Sequence, residues 1–203
     1  MRTDLRLSPW SVSGTGNCWD DVFLESIFFL GNGRMGIRGY IPMEPEDRPI
    51  QKGVYLAGIF GEIKPGITDF VNLPTPVYDS ILLDGEAGTL SSPIERSLDM
   101  KAACFTARFS LTAKQKTVDV VSRFLPKEHP ALILQRLMLI PHKNVEISVA
   151  SGLMTDSCNS PIPDDQTKEN TETIQLSLLE EASVAPQGIT ADFRIRGTGL
   201  SVR

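Results

Sequence analysis

The chain has 203 residues, 41% of them hydrophobic, enough to build a sizeable core. Its 20 basic and 25 acidic side chains give a net charge of −5. That balance excludes the electrostatic footprint of a nucleic-acid binder and argues against a membrane-surface role.

No run approaches the roughly 20 apolar residues of a membrane-spanning helix. The longest candidate, around Ala131 to Ile140, is interrupted by Gln135 and Arg136. Met1-Arg2-Thr3-Asp4 leads into a mixed polar stretch, not the apolar core of a secretion signal, so a cytoplasmic location is expected. Cys18, Cys104 and Cys158 are odd in number and widely spaced, which speaks against a disulfide framework. With His129 and His142 as the only histidines, a structural zinc site is not expected, and nothing in the sequence points to the remaining alternative of an isolated carboxylate-rich metal site.

In chain order, the first strands are expected at Val22 to Leu30, Met35 to Tyr40, Val54 to Phe60 and Val77 to Leu83. Ala103 to Leu111 then alternates cleanly. Ala103, Phe105, Ala107, Phe109 and Leu111 share one face, opposite Cys104, Thr106, Arg108 and Ser110. Side chains alternate across a strand, so this is a half-buried strand. Lys116 to Leu125 is valine-rich and strand-like, and Ala131 to Ile140 is apolar enough for a central strand. Period two recurs at Val145 to Val149, at Ile174, Leu176 and Leu178, and at Ile189 to Ile195. Turn signals at Pro65-Gly66, Asp84-Gly85, Pro126, Pro141 and Gly152 punctuate these runs. Residues 154–173 are polar throughout and read as an exposed loop. Short strands with regular turns predict an all-β, antiparallel sandwich or barrel.

Gly31, Gly33 and Gly36 satisfy the spacing G-x-G-x-x-G. A dinucleotide site would need a helix starting in the motif. Gly36 to Pro45 holds two glycines and two prolines, which cannot carry that helix. The alternative is a tight hairpin whose glycines supply positive φ or close backbone approach. Arg34 and Arg38 would share a strand face, where they could grip a phosphate or carboxylate, or form ion pairs with Glu25, Glu44 or Glu46. The pairs Asp20-Asp21, Asp164-Asp165 and Glu180-Glu181, and the run Glu44 to Asp47, read as solvated surface charge. Trp10, Trp19, Tyr40, Tyr55 and Tyr78 could stack on sugar rings, although aromatics in a β-protein more often fill the core. No G-x-S-x-G nucleophile elbow occurs.

A series of blocks is more specific in its order than any one of them. Glu25-Ser26-Ile27-Phe28, Gly31-Asn32-Gly33 and Gly36-Ile37-Arg38-Gly39 come first. Gly53 to Phe60, Val71-Asn72-Leu73-Pro74, Asp84-Gly85-Glu86, Arg96 to Met100, Arg123-Phe124 and Ser151-Gly152-Leu153 follow. Together they resemble the opening region of the glycoside hydrolase family that contains maltose, trehalose and kojibiose phosphorylases.

The resemblance implies a large antiparallel two-sheet β-sandwich of the galactose-mutarotase-like kind over residues 1–203, short of its last strands. It implies a separate (α/α)₆ catalytic barrel elsewhere in the parent. There one glutamate is the general acid, and inorganic phosphate, a co-substrate rather than a cofactor, attacks the anomeric carbon with inversion. None of those catalytic residues has a counterpart here. This chain alone is therefore expected to be inactive, supporting its catalytic domain and a homodimer of a disaccharide phosphorylase or related hydrolase. Asn32, Arg34, Arg38, Tyr55 and Asn72, all within or beside the matching blocks, are the candidates for substrate contact. The competing readings are a stand-alone carbohydrate-binding or assembly module and a small sugar epimerase, the latter poorly served by two histidines beside prolines.

Overall fold

Alternation of side chains along extended backbone decides most of this chain. The computed structural model describes residues 5–16, 22–39, 41, 53–64, 66–126, 132–154, 176–178, 183–195, 198 and 201–202. The chain opens with β1 (Leu5–Ser8) and β2 (Ser11–Gly16). Helix α1 (Val22–Ile27) follows, then the short strands β3 (Leu30–Gly31) and β4 (Met35–Ile37). Next come β5 (Val54–Leu56), β6 (Phe60–Lys64) and β7 (Ile67–Phe70). After β8 (Thr75–Leu83) stand β9 (Glu86–Ala87), β10 (Thr89–Leu90) and β11 (Ile94–Asp99). The long strands β12 (Cys104–Ala113), β13 (Lys116–Pro126), β14 (Ile133–Pro141) and β15 (Ile147–Met154) succeed them. The last strands are β16 (Leu176–Leu178), β17 (Ser183–Ala185), β18 (Gly188–Thr190), β19 (Phe193–Ile195) and β20 (Ser201–Val202). The registers of β1–β2, β11–β12, β12–β13, β13–β14, β16–β19 and β17–β18 are antiparallel, as in an all-β sandwich. No helix among the described residues is long and apolar enough to cross a membrane.

Two compact units share the chain. The first holds Met1–Arg48 and Val77–Ser151, the second Pro49–Pro76 and Gly152–Arg203. The first is built on one sheet of order β1-β2-β11-β12-β13-β14, with β10 also pairing to β12. Its inner face carries Ile94, Leu98, Phe105, Ala107, Phe109, Leu111, Val118, Val120 and Phe124, all buried. The second unit contains the hairpins β6–β7 and β17–β18 and the three strands β16-β19-β20, with Val71, Leu73, Phe193 and Ile195 buried.

Several expected strands take another form. Val22 to Leu30 is not one strand. Phe28 N donates to Leu24 O at 3.0 Å, an α-helical bond, and Leu24, Glu25 and Phe28 are buried together. An unbroken apolar run fits either period, and tertiary packing chose the helical one. Val54 to Phe60 breaks at Gly58, whose φ of +84° turns the chain between β5 and β6. Ile189 to Ile195 divides into β18 and β19. Among the described residues β14 ends its sheet rather than lying centrally, and Leu134, Met138 and Ile140 are exposed on its outer face. Of the expected 154–173 loop, Met154 closes β15 and the rest lies outside the described residues.

Phe28 ties α1 to the sheet. Its ring lies 5.8 Å from that of Phe105, which in turn stacks on Phe124 at 6.1 Å. This packing leaves no room at residue 39. A Cβ there would stand 2.3 Å from Phe28 Cβ and 2.8 Å from Phe28 O, while Gly39 N donates to Glu25 O at 2.9 Å. A Cβ at Gly36 would meet the ring of Phe29 at 2.2 Å, but that ring is 45% exposed and can swing away. Gly39→Ala is therefore expected to cost roughly 3 kcal/mol and Gly36→Ala about 1 kcal/mol, read from urea denaturation midpoints. Equal losses would show that Phe29 is as fixed as the backbone of Phe28.

The β8–β9 turn is held by charge. Asp84 and Gly85 both have positive φ, 50° and 80°, the pairing expected of an Asp-Gly hairpin. Asp84 Oδ1 accepts from Glu146 N at 2.9 Å, and its other carboxylate oxygen meets Lys116. The hydrogen bond from Lys116, then that from the Glu146 amide, hold the Asp84 carboxyl below the ordinary carboxylate range. A lowered folded pKa stabilises above the unfolded value of about 3.9, and the contribution is lost as pH falls below it. Asp84→Asn keeps the turn geometry, so it is expected to be less stable than the parent at pH 7. The gap should close on acidification below about pH 3.9, followed by urea denaturation at each pH.

Candidate functional site

The hairpin β3–β4 explains the glycine-rich stretch. Leu30 pairs with Ile37 and Gly31 with Gly36. Gly33 sits in the turn at φ +86°, with open space around it. The helix precedes the glycines instead of following them, so no helix N-terminus faces a phosphate here. Asn32 closes the turn: its Oδ1 accepts from Arg34 N at 3.1 Å and from Met35 N at 2.9 Å. Arg34 is exposed at the tip, and half-buried Arg38 donates from Nη2 to Ser26 Oγ at 2.7 Å. Glu44 and Glu46, the other suggested partners of this arginine pair, lie outside the described residues, as do Trp19, Tyr40 and all four carboxylate clusters.

Tyr55 and Asn72 belong to the second unit. Asn72 is 4% exposed and accepts at Oδ1 from Val54 N at 3.0 Å, while Leu73 N donates to Val54 O at 2.8 Å. The amide thus continues a backbone ladder beside Tyr55. The half-buried Tyr55 ring meets Phe70 edge-on, with centroids 6.3 Å apart. Phe70 pairs across the hairpin with Phe60 at 4.8 Å. These two phenylalanines are about half exposed. They present a more open aromatic surface than Tyr55, and period two alone did not single them out.

One grouping looks catalytic and is not. Ser110 Oγ donates to Asp119 Oδ1 at 2.7 Å, and His142 Nε2 lies 2.8 Å from Asp119 Oδ2. The hydrogen bond with His142, then that from Ser110, hold the Asp119 carboxyl below its ordinary range. A serine nucleophile must give its proton to the imidazole, and here the hydroxyl is turned to the carboxylate instead.

A concavity lies on the outer face of the first unit's sheet, with a volume of about 280 Å³. Register builds it. Arg6, Ser13, Ser97 and Thr106 stand opposite one another across β1, β2, β11 and β12. Thr15, Glu95 and Arg108 form the next row. All seven line the cavity, so hydroxyls make its floor, arginines stand at both ends, and one carboxylate faces Arg108. Thr106 and Arg108 were legible as the polar face of an alternating strand. Their convergence with Arg6 and Glu95 was not, because cross-strand register is not written in any single segment.

The chain matches the family described as glycosyl hydrolase family 65, N-terminal domain, over residues 22–202. It belongs to that family. A stretch of 111 residues is also 28% identical to trehalose 6-phosphate phosphorylase of Lactococcus lactis subsp. lactis, covering 50% of this chain and 14% of that protein. This family 65 domain therefore spans only a small part of the relative it matches. Of the short sequence blocks, Glu25 to Phe28 falls on α1, Gly31 to Gly39 on and after the β3–β4 hairpin, and Asn72 on the backbone ladder with Val54.

Asn72→Ala would leave the Val54 amide buried and unpaired. A loss of about 2 kcal/mol is expected in chemical denaturation, against less than about 0.5 kcal/mol for Arg34→Ala at the exposed tip. A comparable cost at both positions would remove the structural role assigned to Asn72.

Proposed function

We propose that this family 65 domain is the non-catalytic N-terminal sandwich of a disaccharide phosphorylase or related glycoside hydrolase. The observation that carries the reading is the family match over residues 22–202. The partial likeness to a trehalose 6-phosphate phosphorylase favours phosphorolysis over hydrolysis. In this reading inorganic phosphate is the nucleophile, the anomeric carbon inverts, and a separate helical barrel supplies the general acid. Phosphate is already an anion at neutral pH, so one protein acid suffices and the sandwich need hold no base. Its work is to buttress the barrel and to take part in a homodimer in the cytoplasm. The exposed rings of Phe60 and Phe70 supply apolar surface suited to such packing.

A stand-alone carbohydrate-binding module is the second reading, favoured by the polar cavity on the outer sheet face. The gene separates the two. An open reading frame that continues past the Arg203 codon into a helical region supports the first, and a stop codon there overturns it. Purified as the 203-residue chain, the domain is expected to release no glucose 1-phosphate from maltose, trehalose or kojibiose with phosphate. Turnover clearly above a blank would refute the non-catalytic assignment.

A further inference from the structure

The outer-face cavity is polar in an unusual way. Among the described residues, the side chains of Arg6, Ser13, Thr15, Glu95, Ser97 and Arg108 make no hydrogen bond or ion pair with the protein. Elsewhere on the same sheet, polar side chains are used up locally. Ser110 is bound to Asp119, Thr112 lies within reach of Thr117, and Asp99 accepts from the Lys101 and Ala102 amides. In the cavity two guanidinium groups, a carboxylate and a floor of hydroxyls are left directed to solvent. They stand on four paired strands, a rigid scaffold that holds them in place before any ligand arrives.

The chemistry of the lining restricts the occupant. Among the described residues no aromatic ring lines the cavity, so recognition is not built on stacking against a sugar face. Recognition must come from hydrogen bonds and charge. The serine and threonine hydroxyls and the Glu95 carboxylate suit ligand hydroxyl groups, which both donate and accept. Arg6 and Arg108 offer planar forks of donors that match phosphate or carboxylate. Two arginines against one glutamate leave a net positive site. Glu95 stands directly opposite Arg108, so a bare anion at that end meets repulsion, while a hydroxylated one can donate to it. A volume of about 280 Å³ suits a ligand of monosaccharide size rather than a polymer.

We propose that this cavity is a binding site for a small hydroxylated anion, a monosaccharide carrying a phosphate or a carboxylate. The site lies wholly within the first unit and needs no catalytic partner, so it stands or falls separately from the phosphorylase reading. A domain that turns over no disaccharide would still bind such an anion.

Isothermal titration calorimetry of the chain at low ionic strength tests this with four probes: glucose 6-phosphate, gluconate, glucose and inorganic phosphate. Saturable one-to-one binding is expected for glucose 6-phosphate or gluconate, and which of them binds identifies the anionic group. Glucose and inorganic phosphate should each bind at least about tenfold more weakly, since each lacks half of the recognised chemistry. Arg6→Gln and Arg108→Gln should each weaken the favoured ligand about tenfold. Thr106→Val should weaken it while leaving the response to inorganic phosphate unchanged. Arg6 and Arg108 are exposed, so their variants should keep the parent's circular dichroism and urea midpoint. Amide NMR shifts on ligand addition should centre on Ser97 and Thr106. The proposal is overturned if neither hydroxylated anion saturates, if inorganic phosphate binds as tightly as either, or if folded arginine variants bind like the parent.

Discussion

Phe28 can lie on the sheet only because residue 39 has no side chain. Its Cβ and carbonyl occupy the volume that a methyl group on Gly39 would need. Its ring completes a row with Phe105 and Phe124 across the inner sheet face. The same residue closes the end of α1, since its amide donates to the Leu24 carbonyl. One aromatic side chain thus joins the helix, the glycine-rich hairpin and the central strands. Close packing of this kind tolerates little change in volume, which gives Gly39 its physical meaning, while Gly33 serves the turn by its positive φ.

The inner face built around that row departs from its apolar pattern at Ser122, which is fully buried opposite Ala107, and at Arg96. Arg96 is 1% exposed and stands between Gly14 and Ala107 in the cross-strand register. Two small neighbours leave the space a guanidinium needs, and the charge is partnered within the fold, as burial of an arginine requires. Alternation then fixes the other face. If Arg96 points inward, Glu95 and Ser97 must point outward, where they join Arg6, Thr106 and Arg108 in the cavity. Core packing and the polar cavity are two consequences of a single register, and a slip of one residue would exchange them.

The domain also divides its chemistry between structure and surface. Asn32 and Asn72, both drawn from glycine- or proline-flanked segments, bind backbone amides of the fold. Arg38 is engaged with Ser26 on α1. The residues that stood out by their flanking motifs are largely committed to holding turns and ladders. Most of the cavity's side chains lie in ordinary alternating strands, with Ser97 alone of its outward-facing residues inside one of the family-like blocks, Arg96 to Met100.

The sequence by itself determined that this is an antiparallel all-β protein, because period-two patterning, cleanest from Ala103 to Leu111, is a local property that any burial of one sheet face must respect. It also determined family membership, through the order of short blocks, and it ruled out a nucleotide-binding helix after Gly36 by composition alone. The tertiary structure decided what local pattern leaves degenerate. It made Val22 to Ile27 a helix, since an unbroken apolar run has no period of its own and only the place of Phe28 on the sheet settles it. It separated Tyr55 and Asn72 from Asn32, Arg34 and Arg38 by unit. And it brought Arg6, about 90 residues or more away along the chain, into one cavity with Glu95 and Arg108, because strand pairing, not proximity in sequence, sets which side chains meet.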